Sequence, residues 1–217
     1  MKQAIINSLY TVPDSNKVIA FDMDGTLISE YPSYYMVDLL KQNDANHGKE
    51  MAALINGLKE FMSRPNYRDL VNSYVDSNEA KVYAPMNQLL DYLKEENFTL
   101  VMSTGSPIEL AKAVCKKQFP QFDVIIGSKL DGDSLIINDQ EGKVSNLKAQ
   151  NIRPAVVFGN SHGDFAMMDY STTANFLVLH DDQYNKEFDK PEEYKKECLE
   201  KGIKAISIKD DWVQVFK

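Results

Sequence analysis

Val18-Ile19-Ala20-Phe21-Asp22-Met23-Asp24-Gly25-Thr26-Leu27 is the stretch on which the reading of this chain turns. Val18 to Phe21 is a short apolar run with side chains for both faces, the pattern of a strand buried within a parallel sheet. The run stops at two aspartates one residue apart, followed by Gly-Thr. Ligands of open parallel sheets bind beyond the carboxyl ends of the strands. A strand ending in Asp-x-Asp therefore presents two carboxylates where a ligand is expected. The competing reading is a solvated strand end with an Asp-Gly turn, and the remainder of the chain decides between the two.

Downstream, strand and helix patterns alternate. Residues 85–94 make an amphipathic helix, 99–103 a strand, and Pro107 opens a helix over 108–118 from a first-turn position. Residues 124–127 read as a strand and 130–137 as a hairpin turning at Asp131-Gly132. A buried strand over 155–159 leads into a helix carrying Ala166, Met167 and Met168, and 176–179 and 205–208 are later strands. The alternation predicts an α/β protein with a doubly wound, Rossmann-like parallel sheet. Residues 30 to about 80 break the alternation. Their apolar positions recur at helical spacing from Tyr34 to Leu40, from Ala52 to Met62 and from Leu70 to Val75, with Pro65-Asn66 between the last two. This reads as an all-helical insert. Residues 2–10 suit a short leading helix, 12–16 a turn, and the charged stretch from Asp181 to Lys201 a solvated helix or loop.

The chain has 217 residues, 43% hydrophobic and 26% charged, with a formal net charge of −8. This is the balance of an ordinary globular protein. The acidity argues against non-specific binding to nucleic acid or to anionic membranes. A phosphorylated small molecule needs only a local positive site. Cys115 and Cys198 lack the spacing of a zinc site or a disulfide framework. No apolar run approaches membrane-helix length, and no export signal opens the chain. A cytoplasmic location is expected, although an exported protein with its signal removed would read the same. Oligomeric state is not legible.

Three later segments suit the same site as the two aspartates. Ser103-Thr104-Gly105-Ser106-Pro107 places hydroxyls and free N–H groups at a strand-to-helix junction, the makings of a phosphate cradle. Glu141-Gly142-Lys143 offers a lysine after a Gly turn, although a lone lysine is ordinarily solvated. Gly159-Asn160-Ser161-His162-Gly163-Asp164 ends a buried strand in oxygen ligands, which suit a hard cation such as Mg²⁺. One reaction uses them all. A carboxylate attacks phosphorus to form an acyl phosphate, and Mg²⁺ clamps that carboxylate and a phosphoryl oxygen. Lysine and hydroxyl bind the other oxygens. A second carboxyl, two residues on and so on the same side of an extended chain, handles the proton.

On these residues, from about Lys17 onward, the chain resembles the haloacid dehalogenase superfamily, and within it a phosphoserine-phosphatase-like branch. The narrower likeness rests on Glu30-Tyr31-Pro32, Tyr83-Ala84-Pro85-Met86, the Gly159–Asp164 stretch, Leu179-His180-Asp181-Asp182 and Asp211-Trp212. The resemblance implies that Asp22 is the nucleophile and that Asp24 is the general acid/base, its backbone carbonyl also meeting the metal. It makes Thr104, with Gly105, the phosphate-binding hydroxyl, Ser103 being the fallback. It makes Lys143 the catalytic lysine, with Lys148 as competitor, and gives a Mg²⁺ set of Asp22, Asp24, Asn160 and Asp164. It also implies a core over 1–29 and 82–217 and a small helical cap domain over 30–81. Glu30, Tyr34, Arg64 and Arg68 are cap residues suited to the leaving group, or else surface and core residues. His162 and His180 read as incidental. The implied activity is Mg²⁺-dependent hydrolysis of a small phosphorylated metabolite, phosphoserine by analogy alone. The alternatives are a phosphomutase or phosphotransferase, or a weakly active or non-catalytic phosphometabolite-binding protein. One departure stands out. The fourth motif usually begins Gly-Asp, and here Asn160 removes a charge, so metal binding should be weaker, Asp164 should take a larger share, and Asn160→Asp should tighten it.

Overall fold

Val18–Phe21 forms β1, and the other strands are arranged about it. The structure is a computed structural model describing residues 2–48, 51–182 and 191–217. The further strands are β2 (Thr99–Pro107), β3 (Val124–Asp131), β4 (Ser134–Ile136), β5 (Val156–Gly159), β6 (Ala174–Leu179) and β7 (Lys204–Ser207). They build one sheet in the order β4-β3-β2-β1-β5-β6-β7, parallel throughout except for the β3–β4 hairpin. The helices are α1 (Lys2–Leu9), α2 (Tyr35–Gln42), α3 (Met51–Met62), α4 (Tyr67–Ser77), α5 (Ala84–Glu95), α6 (Ile108–Gln118), α7 (Glu141–Ala149), α8 (Phe165–Tyr170), α9 (Pro191–Lys201) and α10 (Ile208–Asp211). The chain runs outward from β1 through β2 and β3, then returns to lay β5 against the other side of β1. The carboxyl ends of β1 and β5 therefore flank the switch point, the crevice where such sheets bind ligands.

Both faces of the sheet are covered, which is why β1 lacks a polar alternation. Phe21, Phe158 and Phe176 are in register across β1, β5 and β6. Their rings stack at 4.7 and 4.8 Å in one core. Ala20, Val157 and Leu177 point into a second core on the opposite face. The insert holds α2, α3 and α4, as the helical spacing predicts. Its entry and exit are tied by Ser29 N–H to the Lys81 carbonyl and Tyr83 N–H to the Leu27 carbonyl, both 2.9 Å, so the chain leaves and returns through a two-stranded neck.

Four local readings change. β2 does not stop at Ser103 but stays extended to Pro107, and its pairing with β3 is interrupted between Ser103 and Pro107. Side chains take over the freed carbonyls there: Asn138 donates to Thr104 O at 2.9 Å and Ser128 to Gly105 O at 2.6 Å. Pro107 is accordingly the extended residue before α6, with ψ 137°, and not part of its first turn. β3 absorbs the first arm of the hairpin into one strand. Glu141-Gly142-Lys143 lies in the first turn of α7 and not at a strand end, and a side chain on Gly142 would overlap the Ile137 carbonyl. Cys115 and Cys198 are free and buried, as their spacing suggests. Within the stretch from Asp181 to Lys201, residues 183–190 lie outside the described residues. The described part from Pro191 is α9, which buries Cys198 and so is solvated on one side only. No helix among the described residues is long and apolar enough to cross a membrane.

Phe158→Ala should cost about 3–5 kcal/mol, because it removes the middle ring of the stack and leaves a cavity between two others. Denaturant unfolding should show a lower midpoint at unchanged slope.

Candidate active site

Asp22 continues β1 by one residue, its N–H donating to the Phe158 carbonyl at 2.9 Å. The chain then folds back on itself, with the Met23 carbonyl accepting from Leu27 N–H at 2.8 Å and Ile28 N–H at 3.1 Å. Gly25 makes this turn at φ +76°, and a methyl on it would overlap the Asn160 amide and the His180 ring. Only glycine suits both the conformation and the space. The turn holds Asp22 and Asp24 over the switch point.

Lys143 reaches the same place from α7. It is 2% exposed, and its Nζ lies 2.6 Å from Asp22 Oδ1 and 2.6 Å from Asp164 Oδ1. Asp164 Oδ2 accepts from the backbone N–H groups of Asn160 and Ser161 at 2.9 and 3.1 Å. Both Asp164 oxygens are thus engaged in closing the turn after β5 and in holding the lysine. Asp24 Oδ2 accepts from Ser106 Oγ at 2.7 Å and from Thr104 Oγ1 at 3.3 Å, while its Oδ1 is buried without a hydrogen-bond partner. Asn160 Oδ1 accepts from Thr26 Oγ1 at 3.3 Å.

A cavity of about 300 Å³ joins these groups. Asp22, Asp24, Thr104, Gly105, Lys143 and Asn160 line it, with Glu30 and Tyr34, and α3 adds an apolar wall of Leu54, Ile55 and Leu58. Both Ser103 and Thr104 are fully buried, but Thr104 lines the cavity, whereas Ser103 accepts from Asn138 Nδ2 at 3.2 Å. Lys148 lies over the Tyr170 ring and not at the site. Arg64 and Arg68 line a different groove between the insert and α6. Arg64 donates to the Asn43 carbonyl at 2.8 Å and Arg68 pairs with Glu109 at 3.5 Å. His162 is exposed beside Glu197, while His180 is buried with Nε2 2.8 Å from the Gly25 carbonyl. Ser106 and Asn138 escaped the sequence reading. Ser106 is two residues from Thr104 on an extended chain and so on the same side, a signal that was present. Asn138 comes from beyond the hairpin and has no local signature.

Burial dominates the electrostatics. It pushes the Asp24 carboxyl up, against the pull of the Ser106 and Thr104 hydroxyls. It pushes Asp22 well up, with Lys143 pulling back. Glu30 is raised well above the usual range by burial and by the neighbouring Asp24 and Asp22 charges. Lys143 is raised because two carboxylates outweigh its own desolvation. Four buried carboxyls therefore share one buried ammonium, and such an excess must be met by protons or by a cation. The groups clustered at Asp22 and Asp24 that could hold a cation are hard oxygens, of carboxylates and of the Asn160 amide, which fits Mg²⁺.

A family model for haloacid dehalogenase-like hydrolases matches residues 19–169. Among solved structures, a predicted phosphatase from Clostridium acetobutylicum is 23% identical with a TM-score of 0.54, the match covering 88% of this chain and 93% of that one. A CbbY variant from Rhodobacter sphaeroides, in complex with xylulose-(1,5)bisphosphate, is 13% identical with a TM-score of 0.52, covering 75% and 86%. A protein with unknown function from Bordetella pertussis Tohama I is 11% identical with a TM-score of 0.62, covering 87% and 97%. At these identities the likeness is one of fold. No curated protein gives a significant match.

Lys143→Met should destabilise the protein by about 3–5 kcal/mol near neutral pH, because it strands buried carboxylates without their partner. Asp22, already raised by burial, would lose the pull of Lys143 and titrate higher still. Stability from such a group is present at low pH and lost as pH rises through the raised value. The deficit against wild type should therefore shrink as pH falls through the raised Asp22 value, read from denaturant unfolding at a series of pH values.

Proposed function

The chain belongs to the haloacid dehalogenase-like hydrolase family, and on that footing we propose that it hydrolyses a small phosphomonoester through an aspartyl phosphate on Asp22. The observation that carries this reading is the convergence in one cavity of Asp22, with Lys143 2.6 Å away, and Asp24, whose Oδ1 is buried and unpartnered.

An Asp22 carboxylate oxygen attacks phosphorus as the bond to the leaving oxygen breaks. Asp24, kept protonated more readily by burial, gives its proton to that leaving oxygen. Water then attacks the phosphorus of the aspartyl phosphate while Asp24 takes its proton, releasing phosphate and regenerating the Asp22 carboxylate. The Lys143 ammonium and the Thr104 hydroxyl hold phosphoryl oxygens, and Ser106 orients Asp24 through its 2.7 Å hydrogen bond. Asp164 positions Lys143 and is assigned no ligand role, since both of its oxygens are already engaged. Magnesium, held by Asp22, the Asp24 carbonyl and the Asn160 amide oxygen, would supply neutralisation of the phosphoryl charge when bound.

Residues 30–81 act as a cap over a core of 1–29 and 82–217. Tyr34 and the α3 wall shield the cavity from water, as lids do in enzymes that form reactive intermediates. The apolar character of that wall favours a small substrate with an uncharged carbon face.

Release of phosphate from p-nitrophenyl phosphate in magnesium should be abolished by chelation and by Asp22→Asn. Asp24→Asn should lose about 10²–10⁴-fold. Acid quenching with a ³²P-labelled substrate should trap label on wild type and none on Asp22→Asn. Turnover that survives Asp22→Asn or chelator would overturn the reading.

A further inference from the structure

Glu30 is a carboxylate that the mechanism above does not use, and the protein buries it to 4% exposure beside the site. It stands in the neck of the insert, directly after Ser29, whose N–H is fixed to the Lys81 carbonyl. Its carboxylate lies 3.6 Å from His180 Nδ1, and Asn160 lines the cavity with it. It lines the same cavity as Asp22 and Asp24.

The orientation of the Asn160 amide follows from its partners. Its Oδ1 accepts from Thr26 Oγ1 at 3.3 Å, and its nitrogen, which can only donate, lies toward Gly25. The ring of His180 fills the space behind. Its Nε2 lies 2.8 Å from the Gly25 carbonyl, which can only accept, so that nitrogen carries the hydrogen. Gly25 in turn lies against the Asn160 amide. His180 thus stands between Glu30 and Gly25, and Gly25 lies against Asn160. A carboxylate at position 160 would add a further buried anion to the cavity that Glu30 lines. The amide removes that conflict.

We infer that Glu30 and Asn160 are a matched pair: Glu30 supplies, from the neck of the insert, the negative charge that residue 160 lacks, and it raises the magnesium affinity of the site by that charge. The inference rests on the metal-dependent reading above. It replaces a charge at the end of β5 with one at the entrance to the insert, so exchanging the two groups leaves the total unchanged. Groups beside a metal site that do not themselves ligate tune affinity by about 10–100-fold, which sets the size of the effect.

Magnesium titration of the full chain by calorimetry, without substrate, tests the pair. Glu30→Gln, which keeps the shape and removes the charge, should weaken magnesium binding by about 10–100-fold. The exchange variant Glu30→Gln/Asn160→Asp should return affinity to the wild-type range. Asn160→Asp alone should melt at lower temperature in chelator, because it buries the two carboxylates together. Circular dichroism melts of every variant in chelator separate misfolding from lost affinity, and Glu30→Asp, which keeps the charge on a shorter arm, should bind magnesium better than Glu30→Gln. Wild-type affinity in Glu30→Gln, or an exchange variant no better than Glu30→Gln, would overturn the pairing while leaving the phosphatase reading intact. Unchanged magnesium binding with a raised KM would instead place Glu30 on the leaving group, which also overturns it. A wild-type chain that binds no magnesium overturns the metal-dependent reading, and the pair's role with it.

Discussion

A buried ammonium between two buried carboxylates is the constraint on which this architecture depends. Lys143 contacts Asp22 and Asp164 at 2.6 Å each, across 121 and 21 residues of sequence. None of the three tolerates burial alone, since an isolated charge in an apolar interior is strongly unfavourable. The sheet order answers that demand. The chain comes back from the outer strands to set β5 against β1, which brings the loop carrying Asp164 to the end of the strand carrying Asp22. α7 lies between β4 and β5 in sequence and delivers the lysine to the gap. The apolar side of the same arrangement is the Phe21-Phe158-Phe176 stack, which fixes β1, β5 and β6 in register directly beneath these charged groups.

The lysine does not balance the site. Asp22, Asp24, Glu30 and Asp164 outnumber it, and burial raises the first three. A sequence selected for stability alone would not gather four carboxyls in one pocket and leave Asp24 Oδ1 without a partner. The excess is intelligible as a site built for a ligand that brings positive charge and hydrogen-bond donors of its own. The neutral hydroxyls of Thr104 and Ser106 hold Asp24 without cancelling its charge, so that its proton remains exchangeable.

Legibility in the sequence followed the range of the interactions. The strand Val18–Phe21 and the spacing of Asp22 and Asp24 are local, and the structure keeps both as read. The insert was visible because 3.6-residue periodicity replaces strand runs between Tyr34 and Val75. Lys143 was a different matter. In isolation it looked like a solvated lysine after a glycine turn, and only the family resemblance singled it out, because the carboxylates that bury it lie far away in sequence. The extension of β2 to Pro107 was hidden for a related reason. Its carbonyls are satisfied by the side chains of Ser128 on β3 and of Asn138 beyond the hairpin. Arg64 and Arg68 were drawn toward the site by their charge, and the fold gives them Asn43 and Glu109 in another groove.

Asn160 shows why charge read position by position misleads. Taken with the motif alone, it is a missing carboxylate and a weaker metal site. In the folded chain its amide oxygen accepts from Thr26, and Glu30 lines the same cavity. The carboxylate has not been deleted from the pocket but moved to the neck, where the chain leaves the sheet for the insert. An aspartate at 160 with Glu30 unchanged would add a further anion to the cavity that Glu30 lines. Asparagine is then what the neighbourhood of Glu30 demands. The unusual residue of the fourth motif and the buried acid of the neck are two ends of a single electrostatic choice.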